Sequence, residues 1–185
     1  MNRPRPLTAL THELLADVIQ PGELAIDATV GNGHDTLFLA QQVGTDGQVQ
    51  GFDIQQAALD SARQRLQEAG AATQVQLHLR GHQYMQQRVP GDWAGKVAAI
   101  TFNLGYLPGS DKQAITCAEH TLAALDQSLA LLRVGGVLSI LAYRGHSGGQ
   151  QEADAVTAWC ERHADQLDHR VHESPGPVLH YCVKR

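Results

Sequence analysis

The residues best able to do chemistry begin with Asp27-Ala28-Thr29-Val30-Gly31-Asn32-Gly33-His34-Asp35-Thr36. This stretch lies between an apolar run, Leu24-Ala25-Ile26, and a helical pattern, Leu37-Phe38-Leu39-Ala40. An acidic residue at a strand end, a glycine turn and then a helix wrap a loop around a nucleotide-like ligand. The glycines let backbone approach the ligand, and the helix that follows presents free N–H groups. Asp53 ends the next apolar run, twenty positions after Gly33. A carboxylate at that place accepts hydrogen bonds from both hydroxyls of a ribose.

The turn discriminates between cofactors. A dinucleotide site asks for a third glycine, and Thr36 stands there instead, with an acidic residue directly before the turn. No Gly-Lys-Ser/Thr ends it, which excludes a phosphate loop. S-adenosyl-L-methionine carries no phosphate and needs acceptors for a cationic amino group and for ribose hydroxyls. Asp27 and Asp53 are the expected acceptors. Asn32, His34 and Asp35 are expected to bond the methionine carboxylate or shape the pocket, with Thr29, Gly31, Gly33 and Thr36 completing the turn. Ile54 and Gln55 offer an apolar face and a polar tip to adenine, and His82-Gln83 is placed to reach its edge.

Two further clusters follow later apolar runs. Asn103-Leu104-Gly105-Tyr106-Leu107-Pro108-Gly109 sits where an acceptor would meet a transferred methyl. It resembles the Asn-Pro-Pro-Tyr of methyltransferases acting on amino nitrogens or glutamine amides, with Leu104-Gly105 in place of Pro-Pro. Tyr143-Arg144-Gly145-His146-Ser147-Gly148-Gly149 combines an aromatic, a cation and an imidazole with glycines, and reads as a flexible lid. Arg3, Arg5, Lys112 and Arg144 are candidate phosphate contacts.

Together the three motifs resemble a specific group, the small bacterial class I methyltransferases formerly labelled putative rRNA methylases, of the MnmM type. The resemblance runs over nearly the whole chain from about residue 7. It implies a single methyltransferase domain using S-adenosyl-L-methionine. It further implies N-methylation of 5-aminomethyl-(2-thio)uridine at the tRNA wobble position, with the anticodon stem-loop as partner. In that reading Asn103 orients the amine, Tyr106 stacks on the uracil, and Tyr143 or His146 assists proton removal. The ending His180-Tyr181-Cys182-Val183-Lys184-Arg185 departs from the acidic and lysine-bearing tail expected of the group. An rRNA base, a small-molecule amine, and a non-catalytic cofactor-binding role are the rival readings.

The elements that position these residues follow from periodicity. Thr8 to Ile19 reads as a lead-in helix with Leu10, Leu14 and Val18 on its inner face, stopped by Pro21-Gly22. Strands are expected at 24–28, up to Asp53, at 75–79 and at 97–102, the last a continuous apolar run suited to a central parallel strand. Further strands are expected at 137–143, 167–173 and 178–183. Helices fill 34–43, 55–69 (Ala58, Ala62, Leu66 and Ala69 inward, Gly70 as stop) and 150–164. The longest apolar stripe, Ile115, Ala118, Leu122, Leu125, Leu129 and Leu132, is expected to end at Gly135-Gly136. Five strand–helix alternations and a closing hairpin predict a doubly wound α/β sheet of seven strands, mostly parallel. An antiparallel C-terminal strand and helices on both faces complete the Rossmann-like class I arrangement that the resemblance implies.

Bulk properties narrow the function classes. At 185 residues, 43% hydrophobic and 18% charged, the chain suits one soluble domain, residues 1–185, with no run near the roughly 20 apolar residues of a membrane span. Cytoplasmic placement is the expectation. A net charge of −5 disfavours indiscriminate nucleic-acid binding without excluding a local basic patch. Cys117, Cys160 and Cys182 are odd in number and widely spaced, which argues for reduced thiols. The histidines show no metal-ligand spacing, and His169 and His172 would point to opposite faces of a strand, so no metal is expected. The oligomeric state, a homodimer included, is left open.

Overall fold

A computed structural model describes residues 5–105 and 116–185. Helix α1 (Leu7–Ala16) leads into β1 (Leu24–Asp27), α2 (His34–Val43), β2 (Gln48–Asp53), α3 (Gln56–Glu68) and β3 (Val75–Leu79). Two short 3-10 turns, His82–Gln87 and Gly91–Trp93, precede β4 (Val97–Leu104). The chain ends with α4 (Ala118–Leu131), β5 (Leu132–Tyr143), α5 (Gly149–Arg162), β6 (Leu167–Glu173) and β7 (Pro177–Lys184). Among the described residues no helix is long and apolar enough to cross a membrane.

The seven strands form one sheet in the order β3-β2-β1-β4-β5-β7-β6. The first five are parallel, and β7 runs antiparallel to both β5 and β6. After β3 the chain returns across β1 to place β4 beside it, so β1 and β4 flank the switch point where open α/β sheets bind ligands. Side-chain alternation divides the core between the two faces. Ala25, Val49, Ala99 and Val137 pack against α1 and α2, through Leu15, Leu39 and Val43. Ile26, Ile100, Leu138 and Ile140 pack against α4 and α5, through Leu125, Val156 and Trp159. In β4 seven of the eight residues are buried, as expected of a central strand covered on both sides.

Several local expectations shift. The buried face of α1 is Leu7, Thr11 and Leu15, continued by Ile19, while Leu10, Leu14 and Val18 are half-buried at its margin. The helix also stops at Ala16, before Pro21. In α3 the inward set is Ala58, Leu59, Ala62 and Leu66, and Ala69 is exposed. The stripe on α4 centres on Thr121, Ala124, Leu125, Ser128 and Leu131, with Leu122 and Leu129 at its edge and Ile115 outside the described residues. Gly135-Gly136 does not end that helix. The chain turns extended at Leu132, and the two glycines lie inside β5 at the register shift opposite Val97 and Ala99. A Cβ on Gly136 would sit 2.9 Å from the Val97 carbonyl oxygen, so the glycine permits close strand approach.

Gly33 is the tightest joint between turn and scaffold. Its φ of +77° is left-handed, and an added Cβ would lie 2.7 Å from the Ala62 Cα and Cβ on α3. Gly33→Ala is expected to cost about 2–4 kcal/mol in urea unfolding, from backbone strain and overpacking together. Gly22→Ala is the control. Its φ is +88° with nothing within 4 Å, so only the backbone cost of about 1–2 kcal/mol should appear.

Candidate active site

The carboxyl ends of β1, β2, β4 and β5 open into a cleft of about 910 Å³, a size suited to a cofactor and part of a substrate. Its floor is built from the first turn. Asp27, wholly buried at the end of β1, accepts the Thr29 N–H at 3.1 Å and the Thr36 hydroxyl at 2.6 Å. Burial, and then the charge of Asp35, push the Asp27 carboxyl up to about 7. Asp27 therefore lies beneath the cleft instead of lining it, and does not offer its oxygens to an amino group. Thr36, fully buried, and Gly33, pressed on Ala62, belong to the same scaffold.

Asp53 ties two turns together. Its oxygens accept the Gly31 N–H at 2.8 Å and the Gln55 N–H at 2.9 Å. An ionised carboxylate has about four acceptor positions, so two remain for ribose hydroxyls. Gly31, Asn32, His34, Asp53, Ile54 and Gln55 all line the cleft, and Ile54 is 59% exposed. The Arg65 Nε donates to the Asn32 carbonyl at 2.8 Å and clamps the turn from α3. His82, 8% exposed, lines the cleft from a 3-10 turn and donates from Nδ1 to the Ala28 carbonyl at 3.2 Å. Burial holds it down at about 4, so at neutral pH it is an uncharged ring with Nε2 as acceptor. Gln83 lines the same wall.

A chain of hydrogen bonds runs from the turn to the end of β4. The Asn103 N–H donates to the Thr29 hydroxyl at 2.7 Å, and its amide nitrogen donates to Asp35. The other oxygen of Asp35 lies 2.5 Å from His12 Nε2 on α1. Those bonds fix the Asn103 amide and leave its Oδ1 buried without a partner among the described residues. A buried acceptor with nothing to accept costs on the order of 1–3 kcal/mol. Asn103 lines the cleft, so a donor on a bound ligand could reach this oxygen.

Tyr143 and His146 reach the same cleft, with Gly105 between them. Burial, then the Asp35 charge, raise the Tyr143 phenol above its usual range, so it keeps its proton at neutral pH and cannot serve as the base. Gly149, expected to loosen a lid, opens α5, and a Cβ there would sit 2.4 Å from the Tyr143 carbonyl oxygen. Close packing thus accounts for that glycine.

Not every expected residue converges. Arg144 turns away from the cleft to the carbonyls of Gly176 at 3.1 Å and Ser174 at 3.4 Å, pinning the β6–β7 turn. Arg5 pairs with Glu13 on the exposed side of α1. Arg3, Tyr106 and Lys112 lie outside the described residues. Thr8, His12 and Arg80, missed by sequence reasoning, line the cleft. For Thr8 and His12 a signal existed: polar residues at i and i+4 give α1 a polar stripe beside its apolar one. His12 is further fixed by stacking on Phe38, centroids 4.0 Å apart.

Comparison with known proteins fits this geometry. The family described as "Putative rRNA methylase" matches residues 49–174. A curated relative, the chloroplastic tRNA (mnm(5)s(2)U34)-methyltransferase of Arabidopsis thaliana, is 38% identical over 160 residues, covering 82% of this chain. The chain spans 58% of that relative's length. Among solved structures, a Clostridium thermocellum protein described in the family's own words superposes over the full length of both chains, with a TM-score of 0.92 at 30% identity. A Streptococcus mutans protein in complex with SAH superposes over 100% of this chain and 99% of its own, with a TM-score of 0.85 at 32% identity.

The buried Asp27 gives a testable pH dependence. A raised folded-state value means the native state holds the proton more tightly than the unfolded chain. Its stabilising contribution is full below the unfolded value near 4 and is lost as pH rises through about 7. Urea unfolding of the wild type and Asp27→Asn should show the wild type losing stability relative to the variant between about pH 5 and 8. A constant difference across that range would exclude a raised Asp27.

Proposed function

The chain belongs to the Putative rRNA methylase family, and from that membership we propose that it is a tRNA methyltransferase using S-adenosyl-L-methionine. Its proposed acceptor is the aminomethyl nitrogen of 5-aminomethyl-(2-thio)uridine at the wobble position. The observation that carries the reading is the Asn103 Oδ1 at the mouth of β4, unpartnered among the described residues, on an amide that Asp35 holds from its nitrogen side. A primary amine has the N–H that this oxygen lacks. The name of the Arabidopsis relative, which specifies a methylated aminomethyl group at position 34 of tRNA, supports the same acceptor.

The cofactor supplies an activated methyl on its sulfonium. Asp53 would take the ribose hydroxyls, while Ile54, Gln55, His82 and Gln83 would enclose the adenine. Gly31, Asn32 and His34 would border the methionine portion, with Asp35, held between Asn103 and His12, lending negative charge to the wall that faces its cationic groups. An alkylamine is mostly protonated in water at neutral pH and must arrive neutral or lose a proton. Asn103 Oδ1 accepts one N–H and aims the lone pair along the line of attack. The Asp35–His12 pair and His146 are the groups on this wall able to receive a proton, Tyr143 being held in its phenol form. Positioning supplies much of the acceleration.

An anticodon loop suits a cleft of this depth, since its unpaired bases unstack at little cost. With Arg144 committed to the β6–β7 turn, Arg80 takes its place as the proposed phosphate contact. It lies on the cleft wall, its guanidinium 4.7 Å over the Tyr84 ring.

Asn103→Ala should lower kcat on the order of 10²-fold, while S-adenosyl-L-methionine binding by calorimetry stays within about twofold. Asp53→Ala should instead weaken that binding by about tenfold or more. Unchanged turnover in the first, or unchanged affinity in the second, removes that residue from its role.

Mass spectrometry of wobble nucleosides from cells lacking the protein tests the substrate. Aminomethyl-uridine should accumulate and its methylated form should disappear. Methyl-accepting activity that survives RNase treatment of a cell extract would point to a free amine instead.

A further inference from the structure

On the α4–α5 face of the sheet, well away from the cleft, three late elements bring two thiols and two imidazoles together. His169 on β6 stands opposite Cys182 on β7 in the antiparallel ladder. His180 is two residues from Cys182 along the same strand and so shares its face. Cys160 descends on them from the buried side of α5. Cys160, Cys182 and His180 are each at most 1% exposed.

The spacing is that of a donor set. The two Sγ atoms are 3.6 Å apart, far beyond the roughly 2.05 Å of a disulfide. Two thiolates on one tetrahedral zinc, each at about 2.3 Å, are separated by about 3.8 Å. His169 Nε2 and His180 Nδ1 are 2.9 Å apart, against about 3.3 Å for two imidazoles on such an ion. The ligand atoms of Cys160, His169 and Cys182 all lie within 4.8 Å of one another. Among the described residues, His180 Nε2 is buried without a hydrogen-bond partner, and its Nδ1 is the nitrogen that faces His169.

We propose that Cys160, His169 and Cys182 bind a zinc ion, with His180 as the fourth donor. Binding exchanges two S–H protons for one Zn²⁺, leaves both imidazoles neutral, and releases two protons to solvent. No oxidant is consumed.

Cys182 pairs with Leu138, five residues before the end of β5 at Tyr143. At about 3.3 Å per residue the ion would sit roughly 17 Å along the sheet from the cleft edge. Its role is structural. It would staple α5 to the edge pair β6–β7, whose outer strand is largely exposed.

The test uses the full chain purified under reducing conditions and freed of metal by a chelator. One equivalent of Zn²⁺ should be retained after gel filtration, measured by elemental mass spectrometry, and should raise Tm by several degrees. Co²⁺ in its place should give the intense visible bands and thiolate charge-transfer absorption of a tetrahedral site with sulfur ligands. Cys160→Ser with Cys182→Ser should abolish both signals, whereas Cys117→Ser should keep them. If the double variant fails to fold, the Co²⁺ spectrum of the wild type still decides. Failure of the reduced wild type to retain zinc, or a cobalt spectrum without thiolate bands, overturns the proposal. So does a Cys160–Cys182 disulfide that forms readily in air in a chain that takes up no metal after reduction.

Discussion

The Asp27 carboxyl, sealed at the end of β1, accepts one bond from the Thr29 N–H and one from the Thr36 hydroxyl, and the cleft is built upward from that pair. The first bond fixes the turn as it leaves the strand, and the second locks the opening turn of α2 onto it. With Thr29 fixed, its own hydroxyl receives the Asn103 N–H and sets the end of β4. With α2 fixed, Asp35 stands where it bridges Asn103 and His12. Two loops distant in sequence and the lead-in helix are thus indexed to one carboxyl. Burying that carboxyl is costly when it is charged, and two donors together with a raised proton affinity are how the fold accommodates it.

A division of labour among three carboxylates follows. Asp27 is turned inward and spent on structure. Asp53 uses one lone pair of each oxygen on backbone N–H groups and keeps the rest for the cleft. Asp35 holds the Asn103 amide on one side and the His12 imidazole on the other. The charges of Asp35 and Asp53 both add to the upward push on Asp27. A cluster of this kind has excess negative potential that a cationic ligand relieves. The proposed cofactor, with a sulfonium and an α-ammonium group, is such a ligand.

The alternation of strands and helices, the central burial of β4 and the hairpin at the end were legible because periodicity reports directly on burial. The glycine turn and Asn103 were legible because backbone conformation and acceptor chemistry restrict the residue types allowed. What was not legible depends on distance. His12 lies 23 positions before its partner Asp35, and nothing local marks the pairing. Arg144 looked free because the carbonyls that hold it lie 30 positions away in the β6–β7 turn. Gly135-Gly136 looked like a helix stop because a glycine pair ends helices more often than it relieves a strand crossing. The Cys160, His169 and Cys182 group spans three elements with no short spacing between ligands, so a search for paired ligands passes over it. His172, the nearer histidine in sequence to His169, sits on the opposite face as expected, and the relevant partner is across the ladder.

The unusual ending of the chain acquires a physical reason from the same topology. A helix leaves its last carbonyls without intrahelical donors, and a cation at that end satisfies both the hydrogen bonds and the dipole. Lys184 donates to the Leu129 and Leu132 carbonyls, each at 2.7 Å, and so caps α4 from the last residue of β7. Tyr181, buried on the opposite face, reaches the Leu14 carbonyl of α1 at 3.4 Å. Alternate residues of β7 therefore fasten helices on both faces, with Cys182 and His180 turned to α5 on the side of α4. The strand inserted between β5 and the edge strand β6 is thereby anchored on both of its faces. An inserted, doubly covered strand needs alternating side chains with a partner on each face, and here a lysine stands where the α4 carbonyls end.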